Sequence, residues 1–312
     1  MIITPVCVGI DVSKLVLDIF DPRHGPLRIA NEAEAIETLV TGLGADVFVV
    51  FEATGRYDGR LRRALEAAGI RFARVNPEHA RAFARATGRR AETDAVDARM
   101  LADLGRRLAP RPAEAEDPRR AALARLDRRR AQLVAMRATE RVRLADATAD
   151  DDEGARRDLE AHIAFLDQAI TAIEERITTT VKADADLTRL ARRLRSVPGV
   201  GPVVATRLLA ALPELGHRSP KVIASLAGLA PHADDSGGRR GKRVVAGGRR
   251  RIREVLYMAA VAAARGTTRL AAFYRSLRDA GKPPKLALLA LARKLLVVLN
   301  AVARDDQDFR AA

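Results

Sequence analysis

The stretch Val47-Phe-Val-Val-Phe-Glu52 contains five consecutive apolar residues and ends in a carboxylate. An unbroken, valine-rich run of this length predicts a strand buried on both faces, as in the centre of a parallel sheet. The side chain of Glu52 would then leave the core at the carboxyl edge of that sheet. The stretch therefore predicts a sheet-based domain early in the chain, with Glu52 at its edge.

Three strands are predicted before this central one, over residues 6–11, 15–20 and 27–30. The first is an apolar run that ends in Asp11, and the second alternates apolar and polar residues. Asn31, with Glu34 three residues later, predicts the cap of a helix that ends at Gly42 or Gly44.

After the central strand the pattern predicts a helix over 58–68, a strand over 71–75, and helices starting near Asn76-Pro77 and Thr93. The last helix carries Asp94 and Asp97. The three early strands suit an antiparallel meander, and the later β-α-β units suit parallel additions. This order of elements is that of the ribonuclease-H-like fold.

From about Pro118 the sequence is highly charged and predicts helices. One helix runs to about Thr148, and a second carries an apolar heptad seam at Leu159, Ile163, Leu166, Ile170, Ile173 and Ile177. The two helices predict an antiparallel coiled-coil hairpin. A seam this regular serves either dimerisation or packing on its own partner helix, and both interpretations stay open.

Lys and Arg exceed Asp and Glu by 55 to 40, which gives a net charge of +15 and a pI near 11.0. Such a balance favours a polyanionic partner such as nucleic acid, although an arginine-rich proteome would also raise the pI. Aromatic residues are only 4% of the chain and Trp is absent, so binding through phosphates is favoured over base stacking.

The compartment and membrane predictions follow from a few features. The one cysteine, Cys7, permits no disulfide within the chain, which fits a reducing cytoplasm. The N-terminus lacks the pattern of a signal peptide. The apolar tract from Leu286 to Val302 is interrupted by Arg293, Lys294 and Asn300, and we expect it to be too short and too polar to span a bilayer.

Four acids form the first constellation with chemical meaning: Asp11, Glu52, Asp94 and Asp97. The first two each end an apolar strand, and the last two share a helix face at spacing i, i+3. Converging carboxylates repel unless cations lie among them, and two Mg²⁺ ions at such a cluster can clamp the attacking and leaving oxygens of a phosphate. Taken singly, each acid also fits a turn former or a solvated helical residue.

The motif Val-Gly-Ile-Asp11 alone also fits the phosphate-binding strand of actin-like sugar kinases. No second glycine-rich phosphate loop of that type follows in the sequence.

The second constellation is Ser236 in the run Ser-Gly-Gly-Arg-Arg-Gly-Lys-Arg243, where no acid occurs from Ser236 to Arg253. Glycines let backbone N–H groups approach an anion, and arginines grip phosphates. The expected nucleic-acid-binding cations are Arg239, Arg240, Lys242, Arg243, Arg249, Arg250, Arg251 and Arg253. A flexible and inert Ser-Gly-Gly loop is the alternative interpretation.

The third constellation, Val-Pro-Gly199-Val-Gly201-Pro, is typical of a helix-hairpin-helix, in which backbone N–H groups at a helix N-terminus receive a phosphate. An ordinary packing unit with a Pro-Gly turn has the same pattern.

Together these motifs resemble the transposases of the insertion-sequence-110 family, and the match covers essentially the whole chain. The residues that carry it are Val-Gly-Ile-Asp11, Phe-Glu52-Ala-Thr-Gly, Thr-Asp94-Ala-Val-Asp97-Ala-Arg-Met-Leu-Ala, Val-Pro-Gly-Val-Gly201-Pro, Ala-Gly-Leu-Ala-Pro231, Asp-Ser236-Gly and the Gly-Gly-Arg-Arg-Arg helix start. The members are DEDD recombinases with a RuvC-like N-terminal domain and a C-terminal serine domain.

The resemblance implies a fold of α/β plus all-α type in three parts. We expect a ribonuclease-H-like (RuvC-like) domain over 1–112, a coiled-coil helical hairpin over 113–190, and a mainly helical serine domain with the helix-hairpin-helix over 191–312.

The resemblance also implies the chemistry. Asp11, Glu52, Asp94 and Asp97 would hold Mg²⁺, with two ions expected per site, and Ser236 would form a transient phosphoserine link to DNA. The implied partners are donor and target DNA, a bridge RNA that pairs with both, and further copies of the chain as a dimer or dimer of dimers. No membrane partner is expected. The active site would combine the acidic domain of one subunit with the serine domain of another.

Two other functions remain open from the sequence. A metal-dependent RuvC-like nuclease or junction resolvase would use only the four acids and form no covalent intermediate. A non-catalytic nucleic-acid scaffold would use only the helix-hairpin-helix and the basic run.

Overall fold

A computed structural model describes residues 5–44, 46–53, 55, 57–88, 94–115, 117–232, 235–236, 239–240, 244–245 and 247–310. The chain forms two compact units, Met1–Ala115 and Glu116–Ala312. Each unit is described by itself below. The predicted division into three domains, with boundaries at 112 and 190, stays a prediction.

The first unit is built on a five-stranded sheet in the order β3-β2-β1-β4-β5. Its strands are β1 Val6–Val12, β2 Val16–Asp21, β3 Gly25–Ala30, β4 Val47–Glu52 and β5 Arg71–Val75. The first three strands pair antiparallel, while β4 pairs parallel with β1 and β5 parallel with β4. The predicted meander with parallel additions is confirmed, and the mixed α/β arrangement is consistent with a ribonuclease-H-like domain.

Four helices belong to this unit: α1 Ala33–Gly42, α2 Gly59–Ala67, α3 Pro77–Ala86 and α4 Asp94–Leu108. Hydrophobic clusters lie on both faces of the sheet. Ile10 and Phe51 pack in the cluster that includes residues of α1 and α2, whereas Cys7 and Val50 pack in the cluster that includes residues of α4. Coverage on both faces explains why the central strand β4 is apolar throughout.

The prediction that Asn31 caps α1 is wrong. The cap position is Glu32, and no side-chain hydrogen bond is made there. The buried Asn31 amide instead donates to the carbonyl oxygens of Ser13, at 2.8 Å, and Tyr57, at 3.1 Å. Asn31 therefore joins the turn after β1 to the segment before α2, because a buried amide takes whichever carbonyl partners are in reach.

Helix α4 is held against β1 by two glycines. A Cβ on Gly9 would overlap the carbonyl oxygen of Ala98 and lie 2.5 Å from the Ala102 nitrogen. Seven residues further along α4, a Cβ on Gly105 would lie 3.3 Å from the sulfur of Cys7. The helix therefore runs opposite to β1, and its first turn lies beside the carboxyl end of that strand.

The second unit is mainly helical, with two short β ladders. Its elements are α5 Pro118–Ala149, α6 Glu153–Lys182, α7 Ala185–Arg195, α8 Pro202–Ala211, α9 Pro220–Leu226, β6 Pro231–His232, β7 Asp235–Ser236, β8 Arg239–Arg240, β9 Val244–Val245, α10 Arg250–Ala264, α11 Arg269–Asp279 and α12 Pro284–Asp305. One hydrophobic cluster includes residues from the α5–α6 hairpin and from the helices that follow it.

The heptad seam of α6 is packed unevenly along the hairpin. Leu166, Ile170, Ile173 and Ile177 are buried, whereas Leu159 and Ile163, nearer the turn, are half-buried. Helix α5 packs along α6, and ion pairs such as Arg130–Glu174, at 2.6 Å, cross between them. The interpretation that the seam packs on its own partner helix is therefore confirmed for the buried positions.

Helix α12 corrects the length argument made for the tract Leu286 to Val302. The helix spans 22 residues and is long and apolar enough, by length and composition alone, to cross a membrane. Core helices of globular units pass the same test, and Leu291, Leu295, Leu296 and Leu299 are fully buried among the helices of the second unit.

Candidate active site and nucleic-acid interface

Asp11 and Glu52 are neighbours at the carboxyl edge of the sheet. The parallel register of β1 and β4 pairs Ile10 with Phe51, so the next residue of each strand is the acid. Adjacent parallel strands lie about 4.8 Å apart, and residues in register point to the same face. Both acids are half-buried.

The face that carries both acids is the face covered by α4. Side chains alternate along a strand, so Asp11 shares a face with Gly9, which contacts α4, and Glu52 shares a face with Val50. A Cβ on Gly105 of α4 would lie 2.7 Å from Val50. The sheet and the first turn of α4 therefore meet at the same edge.

The negative charge of Asp97 affects the pKa of Glu52. Burial raises the pKa of Glu52, the Arg81 guanidinium opposes the rise, and the Asp97 carboxylate adds to it. A carboxylate disfavours ionisation of a second one only when the two are close. The register therefore places Asp11 beside Glu52, and the shift puts Asp97 within electrostatic range of Glu52.

Asp94 is the first residue of α4, one turn before Asp97. Its side chain lies outside the described part of the structure, so its distance to the other acids stays a prediction. Among the side chains that the structure describes, no three His, Cys, Asp or Glu residues form a group that could hold one metal ion. Among these described side chains, Asp11, Glu52 and Asp97 therefore do not by themselves form such a group, and the contribution of Asp94 stays a prediction.

The donor chemistry at this edge fits a hard divalent cation. All four predicted ligands offer carboxylate oxygens, the donors that Mg²⁺ takes up in proteins. Burial is the main cause of the raised pKa of Glu52, and a bound cation would oppose that rise. The donor atoms of these residues are therefore of the type that Mg²⁺ prefers.

The pair Asp18 and Arg28 was missed by the sequence analysis. Asp18 of β2 is the registered partner of Asp11, and Arg28 of β3 is the registered partner of Asp18. Arg28 binds the buried Asp18 carboxylate with two hydrogen bonds of 2.8 and 3.1 Å. The signal was present as an acid inside one alternating strand and a cation inside the next, but only the register joins them.

Ser236 lies in a nested pair of short antiparallel ladders. In β6 and β9, Pro231 pairs with Val245 and His232 with Val244; in β7 and β8, Asp235 pairs with Arg240 and Ser236 with Arg239. The sequence had predicted a loop here. The side chains of Ser236, Arg239 and Arg240, and the whole of Lys242 and Arg243, lie outside the described residues, so their predicted roles stay predictions.

The base of these ladders is closed by glycines and by Arg253. Gly228, Gly247 and Gly248 all have positive φ, between 64° and 66°. A Cβ on Gly248 would overlap the Gly228 nitrogen, whereas a Cβ on Gly247 would meet no atom within 4 Å. The Arg253 guanidinium donates to the carbonyl oxygens of Gly247, at 2.8 Å, and Gly228, at 3.3 Å. Glycine is therefore needed at Gly248 because two backbone segments pass closely there, and not only because it would let an anion approach.

Arg249 is also used within the protein. Its guanidinium makes two hydrogen bonds of 2.6 Å to the Glu214 carboxylate and one of 2.9 Å to the Ala211 carbonyl oxygen. Burial opposes ionisation of Glu214, but the hydrogen bonds from Arg249 outweigh it, and the pKa of Glu214 is lowered. The Arg249 side chain is half-buried, and these protein groups already balance its charge.

Arg250 and Arg251, at the start of α10, differ from these two arginines. Both are exposed, and Arg250 makes an i, i+4 ion pair of 2.7 Å with Glu254. Among the described residues Arg251 makes no ion pair. Of the eight predicted cations, Arg249 and Arg253 bind groups of the protein itself, and Arg250 and Arg251 are exposed.

The two glycines of the predicted helix-hairpin-helix also differ in their surroundings. Gly199 has a φ of +86°, and a Cβ there would overlap the Ala259 carbonyl oxygen of α10. Gly201 caps α8 with no side-chain hydrogen bond, and a Cβ there would meet no atom within 4 Å. Gly199 is therefore explained by packing, while Gly201 leaves the N-terminus of α8 open.

Two family profiles match the chain. The profile described as "Transposase IS116/IS110/IS902 family" matches residues 191–275, and the IS110-type DEDD profile, described as "Transposase", matches residues 8–148. The first matched segment contains Ser236 and the second contains all four acids.

Three curated relatives agree with these matches. The chain is 26% identical over 97% of its length, and 97% of theirs, to the "Pilin gene-inverting protein" of Moraxella bovis and of Moraxella lacunata. It is 32% identical over 193 residues to the "Insertion element IS116 uncharacterized 44.8 kDa protein" of Streptomyces clavuligerus, covering 59% of this chain and 46% of that one.

Proposed function

We propose that this chain, which belongs to the IS116/IS110/IS902 family of transposases and is a DNA recombinase, cuts and rejoins DNA through a covalent link to Ser236. The single observation that supports the site best is the meeting of Asp11, Glu52 and the start of α4 at one sheet edge.

In this proposal Asp11, Glu52, Asp94 and Asp97 hold Mg²⁺, on the grounds of the family pattern and of their donor chemistry. When bound, the ions supply Lewis-acid activation of an oxygen nucleophile and charge stabilisation of the leaving oxygen. Arg28 neutralises Asp18, so the acid next to Asp11 adds little further negative charge to the edge.

The serine step conserves the phosphodiester. The Ser236 oxygen would attack a backbone phosphorus as its proton leaves, a phosphoserine ester would form, and the DNA oxygen would depart as a hydroxyl. Attack by a DNA hydroxyl on that ester would release the serine and rejoin the strand. No hydrolysis is needed, so the DNA is recombined rather than degraded.

The proposal includes the partners. The net charge of +15 suits donor and target DNA together with a bridge RNA in the cytoplasm. A homo-oligomer is favoured by the outer surface of the hairpin, where Met136, Val142 and Phe165 are exposed apolar side chains. The relatives named for pilin-gene inversion suggest that inversion of a DNA segment is one outcome of the same chemistry.

Denaturing gels of protein mixed with labelled substrate DNA, its guide RNA and Mg²⁺ test the serine step. Ser236→Ala should abolish the covalent protein–DNA adduct and recombination, whereas Ser276→Ala, an exposed serine of α11, should leave both unchanged. Cleavage that continues without an adduct in Ser236→Ala would instead identify a metal-dependent nuclease and reject the serine mechanism.

A further inference from the structure

A groove of about 890 Å³ lies in the second unit, outside the ladders that carry Ser236. It is formed by the end of α6, by α7 and by the first turn of α8. Ile177, Val181, Ala191 and Val203 contribute its apolar surface. Its volume is near the upper end of the range for small-molecule pockets, about 300–1,000 Å³, and therefore exceeds what one phosphate needs.

Besides Arg130, which is paired with Glu174, three cations border this groove: Lys182 at the end of α6, and Arg192 and Arg195 on α7. All three are exposed, and none makes an ion pair within the described part of the chain. Arg192 and Arg195 are three residues apart on one helix, so both lie on the same side of α7. The groove therefore has three positive charges without a protein counter-charge.

The acids that line the groove are already balanced. Arg207 binds Asp127 at 3.0 Å, Arg130 binds Glu174 at 2.6 Å, and Arg193 binds Asp308 at 3.0 Å. Each ion pair largely cancels its own field at a distance. The field inside the groove therefore comes mainly from the three unpaired cations.

Helix α7 contains an internal comparison. Arg189 and Arg193 bind the carboxylates of Asp306 at 3.4 and 3.6 Å, and Arg193 also binds Asp308. The pKa of Arg193 is raised by the hydrogen bond that it donates to Asp308. One pair of α7 arginines is thus neutralised by the segment after α12, while Arg192 and Arg195 on the groove side are not.

The first turn of α8 adds to the positive potential. Pro202 and Val203 line the groove, and the preceding Gly201 provides no side-chain cap. Uncapped N–H groups and the helix dipole favour an anion at this position. The cations, the apolar surface and this helix end face one space.

We propose that this groove binds a single-stranded segment of the DNA substrate through its phosphates. A DNA recombinase separates strands when it exchanges them, so such a segment must be held during the reaction. A cationic groove that follows one backbone is one part of the usual solution for single strands, and aromatic side chains that stack on the bases are the other. No aromatic residue lines the groove, so we infer that binding is independent of base sequence.

This inference does not depend on the role of Ser236 or of Mg²⁺. Binding is measured on the full chain by fluorescence anisotropy of a labelled single-stranded DNA 20-mer, with EDTA present and over a series of salt concentrations. No cleavage step contributes to this reading, so a failure here leaves the serine mechanism unaffected.

The charge test is the double variant Arg192→Gln, Arg195→Gln. Each phosphate contact with a single strand contributes about 0.7 to the salt slope, so losing two lowers the slope by about 1.4 and the affinity roughly 25-fold at 0.1 M salt. Arg189→Gln is the control, since this arginine of the same helix is paired with Asp306 and Asp186. An equal loss in the control would overturn the proposal.

The second test places a negative charge inside the groove. Val203→Glu should weaken binding strongly by repelling phosphate, while the first turn of α8 stays stable because a carboxylate suits a helix N-terminus. Val222→Glu is the matched control, because Val222 is also an exposed valine in the first turn of a helix that begins with proline. Binding unchanged in Val203→Glu would overturn the proposal.

Duplex DNA and single-stranded RNA of the same sequence complete the experiment. We expect the groove variants to affect single-stranded DNA most. If RNA binds more tightly and loses more affinity in these variants, the groove is an RNA site and the assignment to DNA is wrong.

Discussion

The acidic edge of the first unit and the basic ladders of the second unit place their functional residues in different ways. Asp11 and Glu52 end neighbouring strands whose register is fixed by a buried core. Around Ser236, by contrast, the chain forms ladders of only two residues, and neighbouring cations of the same type make different contacts. A functional side chain on a core strand is located by pattern, but one next to a short ladder is located by its particular contacts.

The largest effect is expected from changing the contact that joins α4 to the sheet. Gly9→Val would place side-chain atoms against the backbone of Ala98 and Ala102, which cannot move aside without shifting the helix. We expect a loss of about 3 kcal/mol in the free energy of unfolding, and loss of recombination. Urea denaturation and the recombination assay measure both.

Gly42→Ala is the control for this prediction. Gly42 ends α1, and a Cβ there meets no atom within 4 Å. Its effect on stability should be small, because alanine favours a helix over glycine. A similar loss in both variants would mean that the contact of Gly9 with α4 is not the cause of the effect.

A smaller effect separates the two kinds of cation beside the ladders. Arg249→Gln should cost about 1–2 kcal/mol of stability, because it leaves the partly buried Glu214 carboxylate without its partner. Arg251→Gln should not change stability, but it should lower the salt slope of duplex DNA binding by about 0.9.

Thermal unfolding and salt-dependent anisotropy test this division. If Arg251→Gln destabilises the protein, or if Arg249→Gln changes only DNA binding, the assignment of the two arginines is reversed.

Effects of similar or smaller size concern two acids of the same sheet whose pKa values move in opposite directions. A side-chain hydrogen bond from Arg23 lowers the pKa of the buried Asp21 to about 2. Ionised Asp21 therefore stabilises the fold above the usual Asp pKa of about 3.9, and this contribution is lost as the pH falls towards 2. Asp21→Asn should cost about 1–2 kcal/mol at pH 7 and nothing near pH 2.

Glu52 should show the opposite sign. Its pKa is raised by burial, so its ionisation begins to oppose folding above the usual Glu pKa and does so fully once the pH exceeds the raised value. In metal-free buffer, Glu52→Gln should stabilise the protein at pH 7, and the difference should vanish below the usual Glu pKa of about 4.3. Urea denaturation across pH 2–8 tests both signs. A destabilised Glu52→Gln at pH 7 would show that the carboxylate is already compensated.

Much of the fold was predictable because its signals are local. The five-residue apolar run of β4 and the alternation in β2 indicated the strands, and the Asn76-Pro77 pair indicated the start of α3. Asn31 was misassigned because its neighbours in space, Ser13 and Tyr57, are 18 and 26 residues away in the sequence. The same limitation hid the pair of Asp18 and Arg28.

The sequence by itself determined the order of strands and helices, the acids at the strand ends, and the positive charge of the chain, because each depends on residue type and short-range spacing. Only the tertiary structure decided that Asp11 and Glu52 are neighbours, that Arg249 and Arg253 bind groups of the protein itself, and that Lys182, Arg192 and Arg195 border one groove. Charge and hydrogen bonding depend on distance, and distances between remote segments are fixed only when the core packs.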